Sequence, residues 1–327
     1  MSDTNFNRPV AVITGAAGSL GRAIAQEFAL EGRSLILCDL NSVDAAMHSV
    51  RNLLSARSIT AVTGDITRAD FPSQIKAALG GRKISCLVHA AGVSPAVKDG
   101  KRIFDVNFTA TRRLVDALVP EMQQPGGVVI LVASVGGKLV QNSAVDLAVR
   151  RHLKGARSPT LWALKRFPYT AYSVSKRCMQ VYARKMARPL AQPSATGPGG
   201  IRIVTVSPGV IDTDMTMHYA SRPNLSTFVS SGPMERMGRP EEVVPVIKFL
   251  ASDGASYITG VDILVDGGII ASKRRALKNT AKVVMKERRE KKKALKKFKK
   301  QEKLRSLENN NPKGKAKEPP VYKEIEE

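Results

Sequence analysis

Residues 9–21 read PVAVITGAAGSLG. A short apolar run ends in glycines at 15, 18 and 21, and a helical pattern opens near Ser19. An apolar run bounded by glycine reads as a buried strand. The glycines permit a tight turn and close approach by another group. A helix starting there offers unpaired amide donors and the positive end of its dipole. Strand before and helix after turn a weak glycine string into a strong signal for a pyrophosphate cradle. The bland alternative is a tight turn with no ligand.

Outward from this stretch the same rhythm repeats. Apolar runs recur at 34–39, 59–62, 84–89, 127–132, 201–207 and 262–265, separated by segments long enough for crossover helices. Apolar strands alternating with helices predict an α/β fold, a doubly wound parallel sheet of seven strands covered on both faces. Such sheets bind ligands beyond the carboxyl ends of their strands.

The 327 residues are 43% apolar and 24% charged, an ordinary globular composition. Three cysteines, Cys38, Cys86 and Cys178, show neither metal-ligand spacing nor a disulfide framework, which fits a reducing cytoplasm. No metal site is expected. There is no apolar run of membrane-spanning length, and MSDTNFNRPV at the N-terminus lacks an export pattern. The formal net charge is +24, of which +11 falls in residues 1–270 and +13 in residues 271–327. The expected organisation is one domain over 1–270, a basic helical extension over 271–307 and a disordered tail over 308–327. The extension is a candidate for binding an anionic membrane surface or a polyanion. Residues 138–168 break the rhythm as a long insert with a net charge of +6 and the single tryptophan, Trp162.

Asp39 closes the second apolar run, 24 residues after Gly15. A carboxylate there accepts hydrogen bonds from ribose hydroxyls and repels a 2′-phosphate, which favours NAD over NADP. It could equally cap the following helix through Asn41 and Ser42. Tyr172 and Lys176 stand four residues apart on an expected helix and so share a face. A nearby ammonium lowers the pKa of a phenol, and a phenol so tuned can move a proton at a carbonyl or hydroxyl. Ser134, just past the fifth run, could hydrogen-bond the same oxygen.

These motifs together resemble the short-chain dehydrogenase/reductase family over roughly residues 8–270. They are TGAAGSLG at 14–21, Asp39, Gly64-Asp65-Ile66, His89-Ala90-Ala91-Gly92, Val106-Asn107, Ser134, Tyr172 with Lys176, Ser207-Pro208-Gly209-Val210 with Thr213, and Ile258-Thr259-Gly260 through Asp266-Gly267-Gly268. The resemblance implies a single Rossmann-type domain, a homodimer or homotetramer, and a small alcohol or ketone as substrate. It implies Tyr172 as acid/base, Lys176 on the nicotinamide ribose, Ser134 on the substrate oxygen and Asn107 as anchor of a water relay. It also implies cofactor contacts from Gly15, Gly18, Ser19, Leu20 and Gly21. Asp65 and Ile66 would hold the adenine, and Ala91 and Gly92 would flank the adenosine ribose. Pro208, Gly209, Val210 and Thr213 would meet the nicotinamide amide.

Departures from the pattern carry their own expectations. Ser19 stands where glycine is usual, and its hydroxyl can reach the cofactor. Glycines 15, 18 and 21 match the spacing of the sugar-epimerase branch, so an epimerase or dehydratase is a rival. A non-enzymatic polyanion- or membrane-binding scaffold is a second rival. His89 replaces asparagine and is expected to be structural rather than a base. The insert resembles that of 3α-hydroxysteroid dehydrogenase/carbonyl reductase. Its apolar residues Leu139, Val140, Leu147, Val149, Leu153, Leu161, Trp162 and Leu164 suit either a lid over a bulky hydrophobic substrate or a subunit contact. The leading expectation is an NAD-dependent alcohol dehydrogenase or ketone reductase. It would be cytoplasmic, with peripheral membrane attachment through the tail as a further expectation.

Overall fold

Strand residues alternate between two apolar layers, and that alternation builds the molecule. Val10 and Val12 face one core cluster, while Ala11 and Ile13 face the other. Val129 and Leu131 fall in the first, Val128 and Ile130 in the second. A strand exposes successive side chains to opposite faces, so a run apolar at every position needs cover on both.

The computed structural model describes residues 9–51, 58–193, 198–220 and 223–272. The basic extension and the tail expected beyond Ser272 lie outside the described residues. In chain order come β1 (Val10–Thr14), α1 (Ser19–Leu30), β2 (Ser34–Asp39), α2 (Asp44–Arg51), β3 (Ile59–Thr63), α3 (Phe71–Leu79) and β4 (Ile84–His89). Then follow α4 (Gly100–Phe104), α5 (Thr111–Leu118), β5 (Val128–Val132), α6 (Val135–Leu139), α7 (Ser143–Leu153) and α8 (Pro159–Leu164). The chain continues with α9 (Pro168–Ala191), β6 (Arg202–Pro208), α10 (Asp214–Ala220), α11 (Pro223–Ser230), α12 (Pro240–Leu250) and β7 (Asp262–Val265). The sheet order is β3-β2-β1-β4-β5-β6-β7, all parallel. The order reverses between β1 and β4, and a crevice opens at such a switch point. Among the described residues no helix is long and apolar enough to cross a membrane.

The insert folds as α7 and α8 after the short α6. Val145, Ala148, Val149, Leu153 and Leu161 are buried in the same cluster as Phe104, Phe108 and Tyr182. His152 stacks edge-on against Phe104 with ring centres 5.7 Å apart. Part of the apolar face that suited either a lid or a subunit contact is spent on the core. Val149, Leu153 and Leu161 are consumed by the core, because burying them there removes them from water at no cost in substrate contact. Leu147 and Trp162 stay exposed.

Candidate active site

A cleft of about 190 Å³ lies beyond the carboxyl ends of the strands. Its first wall is the turn after β1. Gly15 takes φ +74°, and a Cβ there would come within 2.6 Å of Ala91 N. A Cβ on Gly21 would collide with the Gly15 carbonyl. Glycine alone fits at both. Gly18 N-caps α1 without a side-chain hydrogen bond, so the first amides of the helix receive no cap from that residue. A cradle a Cβ would fill, at an uncapped helix N-terminus, fits a dinucleotide pyrophosphate.

Ser19 makes a bond the sequence did not suggest. Its Oγ donates to Asp214 Oδ2 at 2.9 Å and accepts from Asp214 N at 3.4 Å. Arg22 stands 3.7 Å from the same carboxylate. Asp39 accepts from Ala17 N through Oδ2 and from Asn41 N through Oδ1, both at 3.0 Å. The structural reading of Asp39 is met in part, at Asn41. It braces the glycine turn and the chain after β2, and each oxygen keeps a lone pair for a ribose hydroxyl. Asp65 accepts from Thr67 N and Thr67 Oγ1, both at 2.7 Å. Burial raises its pKa, but these bonds with Arg102 and Arg68 outweigh it and hold the carboxyl below its usual range. Ile66 beside it is buried.

The second wall carries the candidate chemistry. Ser134 follows β5 and caps α6, its Oγ accepting from Gly136 N at 3.1 Å. A Cβ on Gly136 would lie 3.3 Å from the Tyr172 ring and 3.5 Å from Ser134 Oγ, so the two side chains flank one point. Lys176, one turn along α9, places Nζ 5.9 Å from the Tyr172 ring centre and donates to Val132 O at 2.8 Å. Burial pushes its pKa down to about 8, which leaves the ammonium charged at neutral pH.

Asn107 sits in a π-helical run, Asp105–Ala110, between α4 and α5. Such runs recur at functional sites. Its Nδ2 donates to Val93 O at 2.9 Å and its Oδ1 accepts from Val93 N at 2.7 Å. A Cβ on Gly92 would meet that Oδ1 at 3.1 Å. The asparagine thus pins the turn after β4 under the cleft floor.

His89 is structural, as its strand-end position suggested. Thr111 Oγ1 donates to Asn107 O at 2.8 Å and so accepts from His89 Nε2 at 2.8 Å. His89 Nδ1 then accepts from Thr14 Oγ1 at 2.8 Å. Both ring nitrogens are satisfied in the neutral form. Burial, aided by the Lys176 charge, pushes the pKa down to about 3.

The structure brings Gly15, Gly18, Ser19, Leu20, Gly21, Gly92, Ser134, Tyr172, Lys176, Pro208, Gly209 and Thr213 to the lining of one cleft. Asn107, Asp39, Asp65, Ile66 and Ala91 are not among its lining residues. Val210 lines a neighbouring cavity of about 560 Å³ with Asp266. Asp214, Met215 and Thr216 line the cleft and went unread in the sequence. Their only signal was their place directly after Thr213.

Two family models match the chain. One described as short chain dehydrogenase matches residues 9–145, and one described as Enoyl-(Acyl carrier protein) reductase matches residues 164–270. The stretch between them lies within the insert. The chain is 30% identical to galactitol 2-dehydrogenase (L-tagatose-forming) of Cereibacter sphaeroides, over 79% of this chain and 93% of that protein. It is 27% identical to 3-alpha-hydroxysteroid dehydrogenase/carbonyl reductase of Comamonas testosteroni, over 81% of this chain and 98% of that protein. A solved short-chain dehydrogenase/reductase of Brucella melitensis, described as glucose/ribitol dehydrogenase, aligns with a TM-score of 0.62 and 27% identity, over 81% of this chain and 98% of that one.

Proposed function

Because this chain belongs to the short-chain dehydrogenase/reductase family, we propose that it oxidises a secondary alcohol or reduces a ketone with NAD as the preferred cofactor. Family membership makes it a nicotinamide-dependent oxidoreductase; the substrate class, the cofactor preference and the residue roles are our reading. One observation carries it. Ser134, Tyr172 and Lys176 line the same cleft as the glycine turn.

Bound nicotinamide would supply hydride acceptance or donation. Gly15, Gly18 and Gly21 let the pyrophosphate approach the backbone, and Asp39 takes the adenosine ribose hydroxyls. Tyr172 gives or takes the proton at the substrate oxygen. The Lys176 ammonium, 5.9 Å from the tyrosine ring centre, would favour the phenolate formed in the reaction. Ser134 donates to the same oxygen and fixes its distance from the phenol. Asn107 holds the Gly92–Val93 turn, and its carbonyl has a second lone pair for a water relay.

A bulky hydrophobic substrate is favoured by Val93 and Met215 on the cleft lining, and by similarity to an enzyme named for hydroxysteroids. The similarity to a galactitol dehydrogenase makes polyols the competing class. The test is a screen of steroids, acyl-CoA derivatives, cyclic alcohols and polyols with NAD and NADP, following absorbance of the reduced nicotinamide. Tyr172→Phe should cost at least ~10²-fold in turnover with NAD binding retained, the scale of general acid–base catalysis. Near-normal turnover in that variant would overturn the assignment. No absorbance change with any alcohol or ketone would favour an epimerase or dehydratase.

A further inference from the structure

Tyr172, Lys176 and Gln180 follow one another at four-residue spacing along α9 and so share one face. The first two belong to the proposed reaction centre. Gln180 is buried and has no part in the mechanism above. Its Nε2 donates to Ser207 Oγ at 2.9 Å and to the Ser134 carbonyl at 3.3 Å. Its Oε1 accepts from Arg177 Nη1 at 3.0 Å. An amide has two N–H donors. Here they reach two strand ends beside the cleft, Ser134 after β5 and Ser207 before Pro208 in β6. A Cβ on Gly137 would come within 2.9 Å of both Nε2 and Oε1, so glycine at that position leaves the amide its space.

The chain of contacts continues into the insert. Arg177 is 1% exposed and adjoins Lys176 in sequence. Its Nε and Nη2 donate to Asp146 Oδ1 and Oδ2, both at 2.7 Å, a bidentate pair. Asp146 lies on α7 and is the single acidic residue of the insert. A buried guanidinium without a counter-charge is strongly disfavoured. The insert therefore supplies the anion that lets Arg177 sit beside the reaction centre. Lys138 grips from the other end of the insert, its Nζ 2.7 Å from Asp262 Oδ2. Asp262 Oδ1 in turn accepts from Ser207 Oγ at 2.6 Å.

We propose that Gln180 is a positioning residue for Ser134, and that the insert holds Gln180 in place through Asp146 and Arg177. This rests on the reading of Ser134 as the group that orients the substrate oxygen. Misplacement of a reacting group by about an ångström can cost ~10²-fold in rate. The insert then serves the reaction as a clamp on the catalytic helix from outside the cleft.

The experiment uses the full chain with Gln180→Met, Gln180→Glu, Asp146→Asn and Asp146→Glu. The first readout is kcat and KM with NAD and the best alcohol from the screen. The second is hydrogen exchange at the Gly136 and Gly137 amides with NADH bound, against Ala133, whose amide donates to Val206 O at 2.7 Å. Both Gln180 variants and Asp146→Asn should lower kcat at least ~10-fold while KM for NAD holds, the pattern of a lost transition-state interaction. Asp146→Glu should recover most of that loss. Exchange at Gly136 and Gly137 should rise ~10-fold while Ala133 stays protected, a local opening. Combining Gln180→Met with Asp146→Asn should cost no more than the worse single change, because the two act through one chain. Unchanged kcat in folded variants overturns the proposal, as does exchange that accelerates at Ala133 together with Gly136 and Gly137. If the unmodified chain turns over no alcohol or ketone, the functional reading fails by itself, and the exchange pattern still decides whether Gln180 holds Ser134. Should Gln180→Met fail to fold, Gln180→Glu decides, since it keeps the shape and the Arg177 contact and puts a carboxylate oxygen where the amide donors stood.

Discussion

His89→Gln tests the structural reading of the buried histidine and puts a number on it. Folding holds the imidazole neutral with a pKa pushed from 6.5 to about 3. A folded-state pKa below the unfolded one means the unfolded chain binds the extra proton first. Stability is then fully present above pH ~6.5 and declines as pH falls toward ~3. The full gap corresponds to about 5 kcal/mol, and the part lost between pH ~8 and pH ~5 to about 2 kcal/mol. Glutamine can still donate to Thr111 and accept from Thr14, but it has no proton to gain in this range. The assay is urea unfolding of the cofactor-free protein at the two pH values, for the unmodified chain and the variant. The unmodified chain should lose about 2 kcal/mol more than the variant over that interval. Turnover of the variant at neutral pH should stay within a few-fold, because the ring nitrogens are engaged by Thr14 and Thr111 and the side chain does not line the cleft. Equal pH dependence of the two proteins would refute the buried neutral imidazole. A turnover loss of ~10²-fold would make His89 a candidate base.

Two further outcomes are expected. Asp39→Ala should relax the preference for NAD over NADP by removing a like charge from the 2′-phosphate position, measured as the ratio of the two kcat/KM values; a higher kcat/KM with NADP in the unmodified enzyme would end that reading. A chain cut after Ile270 should keep its kcat and lose salt-sensitive binding to anionic vesicles, since residues 271–327 carry +13 of the net charge and each basic residue near such a surface contributes ~1 kcal/mol; a full-length protein that ignores those vesicles at low salt would sink it.

Local periodicity was enough for the sheet and for the glycine turn. The limits of β2, β4 and β7 could be read from apolar runs and the glycine or polar residues that end them, because a strand buried on both faces leaves a continuous apolar signature. The glycine turn was legible for the same reason, as a spacing within one turn, whereas the Tyr172/Lys176 spacing, common by chance, stood out only beside that turn and the family resemblance. His89 could be assigned to the framework from its strand-end position, but its partners Thr14 and Thr111 lie 75 and 22 residues away. Tertiary structure decided what crosses between elements. It joined Ser19 to Asp214 across 195 residues and set Gln180 between Ser134 and Ser207. It also turned Val149, Leu153 and Leu161 of the insert into the core. An apolar stripe on a helix says that the face will be buried, not against what. That choice depends on strand order and on which helix lies alongside, and neither is written in the spacing of any single segment.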